Sequence, residues 1–273
     1  MNRAFIIKVI HSYFGQLKNH YTGIERHLDP EAIHQFRVEY KKLRAFLRLL
    51  QFRSRKKIRL PKSLKKVYAK SGLVREFQIL LSDPKALKRI SLHGSAPVKQ
   101  QLRTAARELE RVMRPGLLQD AEKKLVNELP DILEEKTINN FFRDNMEKAK
   151  TLVSTRGSTD EQLHDLRKIM KDLLYNAQLL RKETDQVMPS NLWNRRREKY
   201  YEKATHELGD YHDAVVHAQQ SVEIPGIHSL NQRTWTYQQF QSIKWKRALV
   251  KNLGTNLFLK YPLSPGVVAG SIL

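Results

Sequence analysis

Two segments of the chain carry the same cationic pattern, His34-x-x-Arg37-x-x-x-Lys41 and His164-x-x-Arg167-x-x-x-Lys171. At about 100° per residue, the imidazole, guanidinium and ammonium of each segment fall within about 60° of one another on a helical surface, and Arg44 and Arg48 widen the first stripe to about 80°. A stripe made only of donors is suited to anionic oxygens, because each guanidinium or ammonium offers several N–H groups together with a positive charge. A lone histidine usually packs neutral within a helical interface. Here Arg and Lys follow it twice, which points to phosphate contact by a neutral imidazole whose protonation the adjacent cations oppose. The copies differ in one respect: Leu174 and Gln178 stand where the first copy has Arg44 and Arg48. The second half of any site is therefore expected to be weaker, or completed by Arg181, Lys182 and Lys168.

Each stripe needs a helix whose opposite side packs. Phe36, Tyr40, Leu43, Leu47 and Leu50 supply that side in the first copy, and Leu166, Met170, Leu173, Ala177 and Leu180 supply it in the second. The starts match too: Asp29 as N-cap with Pro30 at the first helical position and Glu31 in the first turn, and Ser158 or Thr159 followed by Asp160 and Glu161. A second basic row, Lys62, Lys66 and Lys70, recurs every fourth residue, and Lys199 and Lys203 occupy the aligned places of the second copy. Lysines so spaced also make a plain solvated face; placement in both copies singles out Lys66 and Lys203. Arg75 lies about 140° around from Lys62, where pairing with an acid is an equal reading. Gly72 and Gly209 sit in no glycine-rich loop, so they suit close helix approach better than a phosphate cradle.

Nearly every segment has helical spacing. Turn signals separate helices expected near 2–22, 30–52, 62–81, 84–91, 97–113, 116–151, 159–183, 190–220 and 229–260. The stretch Thr155-Arg156-Gly157-Ser158 divides a first half, 1–154, from a second, 158–262, short enough for both to act as one module. Residues 263–273 read as a tail laid on the surface or left mobile.

The stripes are followed in both copies by a second helix with Lys-x5-Gly-x2-[Arg/His]-[Glu/Asp], as Lys66, Gly72, Arg75 and Glu76 and again as Lys203, Gly209, His212 and Asp213. With these two motifs, the chain to about residue 262 resembles the conserved histidine α-helical domain, CHAD. The resemblance implies an all-α protein, two related antiparallel helical bundles with pseudo-twofold symmetry around a basic central channel. It also implies that this channel binds inorganic polyphosphate, through His34, Arg37, Lys41, Arg44, Arg48, Lys66, His164, Arg167, Lys171 and Lys203, with Lys62, Lys70, Arg75, Arg181 and Lys199 as further candidates. Polyphosphate granules or phosphate-handling enzymes would then be partners.

Composition bears on the same question. Fifty Lys and Arg against 28 Asp and Glu leave a formal charge of +22, an excess that repels itself unless a polyanion neutralises part of it. With 40% hydrophobic residues the chain can still bury a core. It contains no cysteine, which excludes disulfides, thiolate metal sites and cysteine nucleophiles and suits a reducing cytosol. The run from Ala4 to Ile10 is interrupted by Lys8 and followed by His11, so it reads as a first helix and not as a signal peptide. No apolar stretch approaches the roughly 18 residues of a membrane span.

Two other function classes compete. His164-Asp165 and His212-Asp213 are dyads of the sort that metal-dependent phosphohydrolases use. Asp165, however, lies about 100° around the helix from His164, Arg167 and Lys171 would repel a divalent cation, and the first copy has Gln35 and Arg75-Glu76 at the aligned places. The acidic Glu-x-Glu-x-Lys signature of a triphosphate tunnel domain is missing as well, since Glu108-Leu109-Glu110 lacks the lysine. Neither catalysis nor a metal or other cofactor is expected. Binding of RNA or another nucleic acid suits the charge equally well, but Phe36, Tyr40 and Phe46 occupy packing positions or lie off the stripe instead of interleaving with it. No helix-turn-helix or zinc-finger pattern is present. The expectation is a noncatalytic, cytoplasmic polyphosphate binder, with phosphate-backbone binding to RNA as the alternative.

Overall fold

The computed structural model describes residues 1–54, 57–82, 95–154, 159–183 and 193–223, with Lys246 and Leu253, and omits the side chains of Ser154 and 213–223. Eight helices occupy most of these residues: α1 (Arg3–His27), α2 (Pro30–Leu50), α3 (Lys62–Ser82), α4 (Ala96–Val112), α5 (Leu117–Glu128), α6 (Glu135–Ser154), α7 (Asp160–Glu183) and α8 (Arg195–Glu223). The described residues divide into two compact units, the first made of residues up to Ile138 together with the end of α8 from His217, the second of Asn139–Val216 with Lys246 and Leu253. The expected helix at 84–91, most of that at 229–260 and the tail 263–273 lie outside the described residues. No described helix is long and apolar enough to cross a membrane.

In the first unit, α1 ends where Leu28 takes a left-handed conformation, φ 49°, and its N–H returns to the Ile24 carbonyl at 3.0 Å. Asp29 then caps α2, its carboxylate accepting from the Ala32 N–H at 2.8 Å, and Pro30 supplies a pre-set first turn. This two-residue turn folds α2 back along α1. All five apolar positions expected on α2 are buried, and so are Ala45, Phe46 and Leu49. The helix is thus covered around much of its circumference; of the basic stripe, His34 and Arg44 are exposed while Arg37, Lys41 and Arg48 are half-buried. Tyr13 meets Phe46 and Tyr21 meets Phe36 at ring separations of 6.4 and 6.3 Å. Val98 of α4 packs against Phe77, Leu80 and Leu81 of α3.

The stretch 116–151, expected as one helix, is two. Pro130 cannot donate to a helical carbonyl, and it pushes the preceding Leu129 into extended backbone, ψ 147°. Carbonyls at the end of α5 are taken up by Arg3, which donates to Leu129 O at 2.6 Å and to Val126 O at 3.0 Å, the latter also accepting the Leu129 N–H at 3.4 Å. Met1 and Leu133 exchange backbone hydrogen bonds at 2.7 and 2.8 Å beside this clamp.

In the second unit, Thr159 and Gln162 form a reciprocal capping box at the start of α7: the Gln162 N–H donates to Thr159 Oγ1 at 3.1 Å and the Thr159 N–H to Gln162 Oε1 at 2.8 Å. The apolar face expected on α7 is buried at Leu166, Met170, Leu173, Ala177 and Leu180. Phe142 packs edge-on to Trp193 at 5.6 Å, and Trp193 to Tyr201 at 4.8 Å. Asp160 accepts from Tyr211 Oη and Lys246 Nζ, both at 2.7 Å. Burial works against the Asp160 charge, yet these two hydrogen bonds leave its carboxyl below the usual range.

Candidate functional site

Arg37 is held against α3 by a hydrogen bond and a ring contact. Its Nη1 donates to the Tyr68 carbonyl on α3 at 2.6 Å, and its guanidinium carbon lies 4.4 Å from the centre of the Tyr68 ring. Gly72, one turn further along α3, makes room for it: a Cβ there would stand 2.6 Å from Arg37 Nη1. The second unit repeats the arrangement, since a Cβ on Gly209 would stand 3.1 Å from Arg167 Nη2 and 3.3 Å from its Nε. Gly72 and Gly209 do permit a close approach, but what approaches is the motif arginine and not a neighbouring helix backbone.

The histidines follow the same logic. His34 is exposed on α2, and its pKa is lowered first by desolvation and then by Arg75, with Glu31 opposing and Lys41 and Arg37 adding to the lowering. His164 faces His212 at a ring separation of 4.4 Å, and its pKa is lowered by desolvation, then by His212, Lys168 and Arg167. Both imidazoles are therefore held toward the neutral form, with desolvation the largest single cause in each. The [Arg/His] position of the second motif supplies the companion in each unit, Arg75 or His212. Arg75 also donates to the Pro30 carbonyl at 3.3 Å, which ties α3 to the first turn of α2. Lys171, next along the second stripe, has its pKa lowered by burial and then by Arg167.

The remaining candidates sort differently in the two units. In the first, Arg44 and Arg48 line a cavity of about 710 Å³, Lys62 and Lys66 are exposed on α3, and Lys70 pairs with Glu108 of α4, holding that carboxyl below the usual range. In the second, Lys199 is exposed, Lys203 lies 3.9 Å from Glu207, and Arg181 pairs with Glu198 at 2.8 Å. Asp165 of the candidate metal dyad pairs with Lys168 at 2.9 Å. Gln178 donates to Glu202 at 2.9 Å, and Leu174 is buried. Sequence reasoning missed Lys57, Arg59 and Lys65, which line the same cavity as Arg44 and Arg48. Lys57 and Arg59 lie in a segment without helical periodicity, and Lys65 falls one place off the motif lysine.

The family model for the CHAD domain matches residues 8–220, and so takes in both His-Arg-Lys helices and both second motifs. The chain belongs to the CHAD family. Among solved structures it resembles the crystal structure of the CHAD domain from the plant Ricinus communis, with a TM-score of 0.65 and 16% identity, over 97% of this chain and 89% of that one. That likeness shows a shared helical fold. A search of curated proteins returned no match. In CHAD terms, the family's sequence signature has a physical basis here: the glycine seats the arginine, and the [Arg/His] residue stands beside the histidine.

Proposed function

We propose that this CHAD protein binds inorganic polyphosphate without cleaving it, through the His-Arg-Lys edges of α2 and α7. The observation that carries the reading is the duplicated seat of the motif arginine, Arg37 on Gly72 and Arg167 on Gly209. A guanidinium fixed in this way loses little freedom when a phosphate arrives. Only one of its five N–H donors is taken by the Tyr68 carbonyl in the first unit. Neutral imidazoles at His34 and His164 add uncharged N–H donors, and Lys41 and Lys171 add charge. Nothing in this set calls for a nucleophile or general base. The ligand would be a cytoplasmic polyphosphate, and granules or phosphate-handling enzymes would be reached through it.

The test is a binding titration against polyphosphates of graded length, beside RNA, at two salt concentrations. Affinity should rise with chain length and fall steeply with salt as counterions are released. Changing Arg37, Lys41, Arg167 and Lys171 together to alanine should abolish long-chain binding while the helical circular dichroism is kept; retained affinity removes the site assignment. Long polyphosphate should displace RNA at far lower phosphate-equivalent concentration than RNA displaces it. The reverse order would make the protein an RNA-backbone binder.

A further inference from the structure

The cavity in the first unit has a composition that the duplicated motif does not account for. Five cations line it, Arg44 and Arg48 from α2, Lys57 and Arg59 from the segment that follows, and Lys65 from α3, and none of the described lining residues is acidic. The segment's geometry explains how two of them arrive. Ile58 and Leu60 are buried while Lys57 and Arg59 between them are exposed, so the chain alternates inward and outward as extended backbone does. The Arg59 N–H donates to Glu128 at 3.3 Å, which pins the segment to the end of α5. Pro61 then precedes α3, and its carbonyl accepts from the Lys65 N–H at 3.1 Å.

The aromatic rings at the cavity are engaged with one another and with guanidinium groups. Tyr40 and Tyr68 stack on one another at 4.0 Å with 16° between their planes. The Arg37 guanidinium covers Tyr68, and that of Arg44 lies 5.9 Å from the Tyr40 ring. A nucleobase would need one of these positions; phosphate oxygens need only the cations.

The second unit differs at three of these five positions. When the two copies are aligned on their motifs, Arg44, Arg48 and Lys65 correspond to Leu174, Gln178 and Glu202. Leu174 is buried and Gln178 donates to Glu202. Three cations have become an apolar group, an amide and a carboxylate, the last two bonded to one another.

We propose that this cavity is a binding site for a compact oligophosphate, present once per chain, in which several phosphates bound close together are met by Arg44, Arg48, Lys57, Arg59 and Lys65. It goes beyond the polyphosphate reading and shares with it only Arg44 and Arg48. The occupant is either a free small oligophosphate or the end of a longer chain; both present clustered, highly charged terminal phosphates.

Calorimetric titration of the full chain with tripolyphosphate tests it. One site per chain is expected, and giving the first unit the second unit's residues, as Arg44→Leu, Arg48→Gln and Lys65→Glu together, should weaken binding by at least about tenfold. Because Arg44, Lys57, Arg59 and Lys65 are exposed, tripolyphosphate should also shield Lys57 and Lys65 from acetylation in the unaltered protein, a readout that does not depend on any variant folding. Unchanged affinity in the triple variant, unshielded lysines, or no binding at millimolar tripolyphosphate overturns the proposal. Long polyphosphate with chemically capped ends should compete as well as uncapped chains if the occupant is a free small molecule, and less well if it is a chain end. The two readings fail separately: long chains bound without tripolyphosphate would end this proposal alone, and tripolyphosphate bound without long chains would end the polyphosphate reading alone.

Discussion

At the scale of single residues, the two motif histidines and the two seated arginines make different demands. The pKa values of His34 and His164 are lowered in the folded protein, so the folded state binds fewer protons than the unfolded chain once pH falls below the ordinary histidine value of about 6.5. The stability this provides is present above that value and is lost as pH falls through the lowered ones. Thermal melts of the free protein should therefore drop as pH falls below about 6.5, and changing both histidines to glutamine should flatten part of the drop. A polyanion favours the charged imidazole, so polyphosphate affinity should rise over the same interval; an affinity that falls on acidification would contradict the phosphate-contact role. For the arginines the test is steric. A Cβ at Gly72 would stand 2.6 Å from Arg37 Nη1, nearer than the 3.1 Å found at Gly209 for Arg167. The group that must yield is the end of a long side chain, and alanine gains roughly 1 kcal/mol of helix propensity over glycine. Gly72→Ala should thus shift stability in urea melts by no more than about 1 kcal/mol while lowering polyphosphate affinity severalfold, and Gly209→Ala should do less.

At the scale of elements, the break between α5 and α6 depends on a side chain from the opposite end of the unit. Arg3 bonds the carbonyls of Leu129 and Val126 and reaches Asp131 at 3.2 Å. Arg3→Ala removes the side-chain donor from both carbonyls, leaving Val126 O only the Leu129 N–H at 3.4 Å, and should cost about 1–2 kcal/mol, with hydrogen exchange accelerated at the end of α5 ahead of α2. Equal acceleration in both would mean that the clamp stabilises the whole unit and not its seam. How legible such features are in sequence varies with their physics. The buried faces of α2 and α7 follow from a period of 3.6 residues, and the caps at Asp29 and Thr159 follow from side-chain chemistry local to the turn, so both can be read directly. Pro130 was legible in principle, but the periodicity on either side of it suggested a single helix. The seats at Gly72 and Gly209 were not legible, because which side chain faces a glycine depends on the register of two helices. The partners of Lys70 and Arg181, Glu108 and Glu198, were hidden for the same reason. Lys57 and Arg59 carry no periodic signal at all.

At the scale of the whole molecule, a formal charge of +22 on 273 residues sets two effects of salt against each other. Like charges crowded on one chain destabilise the compact state, and dissolved ions screen that repulsion over about 10 Å at 0.1 M. The same ions compete for phosphate contacts and remove the entropy gained from counterion release. Raising the ionic strength from about 50 mM to about 200 mM should therefore raise the melting temperature of the free protein while shrinking the further increase that saturating polyphosphate confers at low salt. The two curves should converge as salt rises. A protein whose excess charge merely coats its surface would show the first effect with only a weak, length-independent second one. A protein whose cations were already neutralised by internal pairs would show neither. Convergence that is steeper for long chains than for tripolyphosphate would match an extended basic edge that contacts more phosphates per ligand than the cavity can.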